Sequence, residues 1–306
     1  MLWTAAPLAT IFVCWWLLQL RTTRPDGTLL RDVQPYRRVL NHISNAPHDS
    51  WVLYDSYVNA EPLLAYVADS KRHTAAGAAP VEHCDVIHCV IAAAGIALHA
   101  TPELNRFVAG RRLYQRSSCA ISFATKRKRM DPGSLLATIK LELPRAQPFA
   151  ELCRRINDAI AHERSDAVTE QDKKLALLLK LPHALLGLSV WLARWADRHN
   201  LVARAAIESD PLFASLIITS LGSLGMPAAY HHLFEWGNCP LLLVIGKIEP
   251  RPVVVDGRVA VQQQLHLRFT YDERIDDGLT AGQGLRKLVE VLESPQRFLD
   301  ATVAPG

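Results

Sequence analysis

Net charge is scarce in this sequence. Thirty-four basic and 30 acidic side chains leave only +4 over 306 residues, too weak a bias to argue for a nucleic-acid partner. The dense basic run Lys126–Arg129 sits beside Asp131-Pro132-Gly133, a turn signal, and reads as a solvated hairpin tip. Cysteine is also sparse: six residues, at positions 14, 84, 89, 119, 153 and 239, with no regular spacing. In a chain of this size that excludes a disulfide scaffold. His83, Cys84, His88 and Cys89 partly converge on a helical turn, but no second ligand pair follows at a zinc-like spacing. No metal is therefore expected, and the cysteines read as buried residues of a core helix. Internal repeats, low-complexity tracts and long linkers are absent as well. About half of the residues are apolar, enough for one large core.

Charge is missing altogether from residues 1–20, MLWTAAPLATIFVCWWLLQL. The length matches a bilayer core, and Trp3, Trp15 and Trp16 could anchor it at an interface. No basic n-region or small-residue cleavage site marks it as a cleaved signal peptide. Arg21, Arg24 and Arg31 follow it, which would hold the remainder on the cytoplasmic face. Residues 1–22 are thus expected to be a membrane anchor, the alternative being an apolar arm or a mis-set start. A second greasy stretch, residues 175–199, is interrupted by Lys180, Pro182 and His183 and reads as a buried or interfacial helix rather than a spanning one.

From about residue 29 the pattern is continuous α/β. Helices are expected over 34–45, 61–73, 84–102, 148–166 and 279–293. Strands are expected over 50–60, 118–126, 134–143, 210–225, 240–257 and 258–272, with a hairpin at 105–116 turning on Gly110.

Three late features belong together. An apolar strand ends in ITSLGSLG (218–225), with hydroxyls at Thr219 and Ser220. A buried strand, PLLLVIGKIE (240–249), contains a glycine. A charged turn, TYDERIDDG (270–278), leads at once into a helix. In order and spacing these resemble the catalytic domain of the acyltransferase subunits of 2-oxo acid dehydrogenase complexes. The family's D-H-R-x-x-D-G falls on Asp272, Glu273, Arg274, Ile275, Asp276, Asp277 and Gly278. Its F-T-x-S-N-L-G strand falls on Ile217, Ile218, Thr219, Ser220, Leu221 and Gly222. The resemblance covers most of residues 30–300 and is densest in the last ninety.

The resemblance implies a chloramphenicol acetyltransferase-like fold over residues 29–300: an α/β two-layer sandwich with a mixed sheet flanked by helices. It also implies a homotrimer with active sites between subunits, and acyl-coenzyme A as co-substrate with a small-molecule or carrier acceptor. No lipoyl domain precedes the domain in this sequence. Carried over by position, Thr219 matches the oxyanion-stabilising hydroxyl, with Ser220 as fallback. Asp277 matches a structural aspartate, with Arg37 or Arg38 as partner. The base position holds Glu273 instead of histidine. A carboxylate of pKa about 4.3 faces a thiol near 8.5, a mismatch of roughly four units, on the order of 5–6 kcal/mol. Burial would have to raise the carboxylate for it to serve. His231 and His232 are a second candidate base. Three functions stay open: acyl transfer, a catalytically silent scaffold or acyl-binding protein, and thioester hydrolysis.

Overall fold

The computed structural model describes residues 5–73, 84–126, 136–165 and 176–300. His83 and most of the basic hairpin tip lie outside the described residues. The order is helix α1 (Ala5–Leu20), strand β1 (Gly27–Leu29), α2 (Pro35–Ile43), β2 (Trp51–Asn59), α3 (Glu61–His73), α4 (Val86–Ala100), β3 (Arg106–Ala109) and β4 (Arg112–Arg116). Then follow β5 (Ala120–Lys126), β6 (Leu136–Glu142), α5 (Phe149–Arg164), α6 (His183–Arg198) and α7 (Arg204–Ser209). The last third holds β7 (Leu216–Ser220), β8 (Leu241–Val255), β9 (Arg258–Asp272), α8 (Gly278–Glu293) and α9 (Pro295–Leu299).

A six-stranded sheet runs β2-β9-β8-β7-β5-β6, and β1-β4-β3 form a smaller sheet. β7 is parallel to both β5 and β8, whereas the remaining pairs of the large sheet are antiparallel. Strand alternation divides the residues between two faces. Ile218, Leu243, Ile245, Leu265 and Leu267 point into the main core with the buried faces of α4, α5 and α8. Ile217, Leu242 and Val244 point the other way, under the segment that carries Ala228 and Leu233. α4 is apolar nearly all round because it is buried nearly all round, with Cys89 among its buried residues and Cys84 just ahead of it.

Two expectations need correction. The 210–225 stretch is a strand only over Leu216–Ser220, followed by a single 3-10 turn at Gly222–Leu224. Gly222 ends the strand because it lies against the main chain of β8, where any Cβ would collide with the Gly246 carbonyl oxygen. The greasy stretch 175–199 breaks at Pro182, which caps α6. None of α6's residues is buried, so the buried-helix reading fails. Among the described residues no helix is long and apolar enough to cross a membrane. α1, at 16 residues, is about 24 Å long, against about 30 Å of hydrocarbon.

Candidate active site

The charged turn joins β9 to α8 and is held from below by a buried ion pair. Asp272 and Arg274 are each 4% exposed. Arg274 donates from Nε (2.9 Å) and its main-chain N (3.0 Å) to Asp272 Oδ1, and from Nη2 to Oδ2 at 2.7 Å. Ser50 Oγ donates to the same carboxylate at 2.9 Å. Arg274 Nη1 reaches the Ser44 carbonyl at 3.3 Å, which ties the turn to the loop after α2. Glu273 N donates to the Ser50 carbonyl at 2.8 Å. With its neighbours turned inward, Glu273 is left exposed. The burial that would make it a stronger base is not supplied by its own chain.

Asp277 and Asp276 divide the structural work. Asp277 is the N-cap of α8, its Oδ1 accepting from Leu279 N (3.0 Å) and Thr280 N (3.2 Å). Its side chain is 59% exposed, and Arg37 stands 3.6 Å away. Asp276 instead takes the buried role: Arg37 Nη2 donates to it at 2.9 Å and Arg106 Nη1 at 2.6 Å. Of the two expected arginines, Arg37 is the one that pairs with Asp277, at 3.6 Å, and it hydrogen-bonds Asp276 more closely. Arg38 is exposed and joins no ion pair among the described residues.

Thr219 lies far from this turn within one chain. It pairs with Val244 on β8, which pairs with Arg268 on β9. Glu273 is five residues beyond Arg268, so roughly 16 Å along the sheet and about 10 Å across it separate the two. Ser220, the next residue of β7, is no nearer. A meeting of Glu273 and Thr219 therefore requires two copies of the chain.

The histidine pair does come to the turn. Thr270 Oγ1 donates to the His231 carbonyl at 2.6 Å. The His232 ring lies 6.4 Å from that of Trp51, the register partner of Asp272. His231 Nδ1 is 2.7 Å from the His232 carbonyl, and His232 Nδ1 is 2.8 Å from the Leu233 carbonyl. A neutral imidazole that donates from Nδ1 keeps a lone pair on Nε2, the form a general base needs.

Other residues of this site carry no sequence signal. His48 Nδ1 is 2.7 Å from Glu235 Oε1, and that hydrogen bond and charge raise the imidazole above its ordinary pKa. Arg106 sits in an ordinary hairpin. His266 is buried at 2.5 Å from Asp55 Oδ1, with Arg268 on the same carboxylate. Burial works to raise the Asp55 carboxyl, but His266 and Arg268 outweigh it and hold it below the usual range. A cleft of about 190 Å³ opens beside Asp272 and Arg274. Its walls include Gly110 and Arg111 of the β3–β4 turn, Arg194 and Arg198 of α6, and Glu235. Among the described residues no three His, Cys, Asp or Glu side chains converge as a metal site.

Residues 209–299 match the 2-oxoacid dehydrogenases acyltransferase (catalytic domain) family. That span contains the Thr219 strand, the charged turn and α8. The lipoamide acyltransferase component of the branched-chain alpha-keto acid dehydrogenase complex of Pseudomonas putida is 29% identical over 124 residues, 38% of this chain and 27% of that protein. A succinyltransferase component of the Arabidopsis thaliana 2-oxoglutarate dehydrogenase complex is 39% identical over 64 residues, 20% of this chain and 14% of that one. The chain thus spans well under a third of the length of these curated relatives. Among solved structures, the cubic core of the pyruvate dehydrogenase multienzyme complex superposes with a TM-score of 0.57 at 18% identity, covering 91% of this chain and 94% of that one. The Azotobacter vinelandii dihydrolipoamide acetyltransferase gives 0.56 at 17%, with the same coverage. The mixed sheet flanked by helices is the fold observed, and it is shared with these two acyltransferase cores.

Proposed function

We propose that the chain is a coenzyme A-dependent acyltransferase that works as a homotrimer, with each active site between two copies. The observation that carries this reading is the finished state of the turn. Asp272, Arg274, Ser50, Arg37, Arg106 and Asp276 are all paired, and Asp277 caps the helix, so the main chain at residue 273 is held in one place. Edge strand β2 presents exposed Trp51, Leu53 and Tyr57 on the sheet face that carries Thr219, a surface fit for a second copy. In this arrangement the acceptor thiol or hydroxyl loses its proton to Glu273 and attacks the acyl carbonyl of the thioester. Thr219 of the neighbouring copy donates a hydrogen bond to the tetrahedral oxyanion, which collapses with loss of the thiolate. Glu273 acts as base only if the second copy buries it.

A second reading gives the proton to His231 or His232. It is favoured by their Nδ1 contacts to carbonyls beside the turn, which leave Nε2 as the acceptor. A silent scaffold and a thioester hydrolase are the remaining outcomes of one experiment. Purified chain is mixed with a panel of acyl-coenzyme A thioesters, with and without acceptors, and thiol release is followed. Turnover lost in Glu273→Gln and Thr219→Ala supports the first reading. Turnover lost in His232→Gln but kept in Glu273→Gln supports the second. Thiol release without any acceptor marks a hydrolase. Absence of coenzyme A binding at millimolar concentration marks a scaffold and ends the transferase reading.

A further inference from the structure

Helices α1 and α6 rise from one polar knot. Arg24 is at its centre, bonded to both Asp26 oxygens (2.9 and 3.2 Å), to Asp197 Oδ1 (2.9 Å) and to Asn200 Oδ1 (3.2 Å). Asn200 in turn donates to the Arg21 carbonyl at 2.7 Å and to Tyr114 Oη at 3.0 Å. Gln19 Nε2, near the end of α1, meets His199 Nε2, at the end of α6, at 3.1 Å. Arg112 donates to the carbonyls of Gln19 and Arg21. Both helices therefore start from one anchored level, and position along each can be measured from it.

Measured in this way, the two helices show the same sequence of layers. At the knot stand exposed Arg21 and Arg198, whereas Arg194, paired with Glu235, lies level with the tryptophans. The acids of the knot are already committed: Asp26 and Asp197 to Arg24, and Glu235 to His48 and Arg194. Trp15 and Trp16 follow three to four residues from Gln19, about 5–6 Å along α1. Trp195 and Trp191 follow four and eight residues from His199, about 6–12 Å along α6. Trp15, Trp16 and Trp191 are at least half exposed. Beyond the tryptophans α1 carries no charged residue, and α6 presents Leu188 and Leu185, each half exposed. Cation collar, tryptophan belt and apolar tip are the layers of a protein surface that sits in a bilayer's headgroup region. The order, repeated on both helices, follows the gradient from charged headgroup to acyl chain that a bilayer presents.

We propose that α1 and α6 form a docking surface for an anionic lipid bilayer, inserted to the depth of the headgroup–acyl boundary without crossing it. This inference does not use the acyl-transfer reading, although Arg194 and Arg198 also line the cleft beside Asp272 and Arg274.

The experiment uses the full chain and vesicles of phosphatidylcholine, with or without about a third of phosphatidylglycerol (an ordinary anionic fraction). Bound protein is measured by flotation, and tryptophan insertion by quenching with brominated acyl chains. Expected results are flotation with anionic vesicles, quenching of fluorescence, and release by salt. Leu188→Glu with Trp191→Glu should abolish flotation while leaving the thermal midpoint unchanged, because neither side chain is buried. Arg198→Gln should lower the partition constant about fivefold. Failure to float with anionic vesicles overturns the proposal. So does a Leu188→Glu, Trp191→Glu variant that floats normally, or one whose only change is a smaller particle mass, which would make the surface a contact between copies.

Discussion

Replacing Arg274 with methionine tests whether the charged turn is held by the buried ion pair beneath it. Methionine keeps an unbranched apolar stem but removes the guanidinium. Asp272, with a side chain only 5% exposed, would then keep the Ser50 hydroxyl and one main-chain N–H as its donors. It would lose the Nε and Nη2 hydrogen bonds of 2.9 and 2.7 Å and the opposing charge. Removing one partner of a buried pair costs about 3–5 kcal/mol, because the surviving charge stays desolvated. At about 2–4 °C per kcal/mol for a large domain, the thermal midpoint should fall by roughly 6–20 °C. The check is calorimetry or urea unfolding of the full chain, read at constant pH. Asp272→Asn combined with Arg274→Met should recover part of the loss, since the stranded charge is gone. A loss under about 1 kcal/mol would match an ordinary surface substitution and refute the idea that this pair sets the turn. A double variant as unstable as the single one would equally refute the stranded-charge account.

Three further outcomes are expected. Asp276→Ala should destabilise the chain more than Asp277→Ala, because Asp276 holds Arg37 and Arg106 whereas Asp277 contributes an exposed cap worth about 1 kcal/mol; unfolding midpoints of the two variants decide it. Gly222→Ala should cost about 1–3 kcal/mol, since its Cβ would strike the main-chain oxygen of Gly246, and the midpoint again measures it. Burial works to raise the Asp26 carboxyl, but hydrogen bonding and charge from Arg24, with Arg116 and Asn238, hold it below the usual carboxylate range. Its contribution is therefore complete above the unfolded value near 3.9 and lost as pH falls through its lower folded value, so Asp26→Asn should flatten the acid limb of stability against pH below about 4. Asp197 in the same knot is shifted upward, chiefly by burial, so its titration acts in the opposite sense.

Much of the site was legible because motif residues act through local geometry. Asp272, Arg274 and Asp277 lie within six residues, so the turn itself was legible, although the inward Asp272–Arg274 pair and the cap made by Asp277 came only from the structure. The 2.0 and 3.6 periods likewise marked β2, β8, β9, α4 and α8 to within a few residues. What stayed hidden depends on partners remote in sequence. Arg106 reaches Asp276 across 170 positions, and His48 reaches Glu235 across 187. Neither arginine nor histidine at those positions differs from a surface residue until the chain folds. Arg37 keeps the expected ion pair with Asp277 at 3.6 Å, but its closer contact, 2.9 Å, is to Asp276, which the sequence did not mark.

The sequence by itself determined the mixed α/β domain, the charged turn between the last long strand and its helix, and two apolar stretches too poor in charge to be ordinary surface. Local spacing and composition carry all three. Only the tertiary structure decided that Glu273 is exposed in a single chain and roughly 19 Å from Thr219, a separation set by strand register and sheet spacing. It also decided that α6 (His183–Arg198) is exposed and anchored beside α1, because the knot around Arg24 joins residues some 173 positions apart. Burial and charge pairing are properties of the assembled surface, and no local period encodes them.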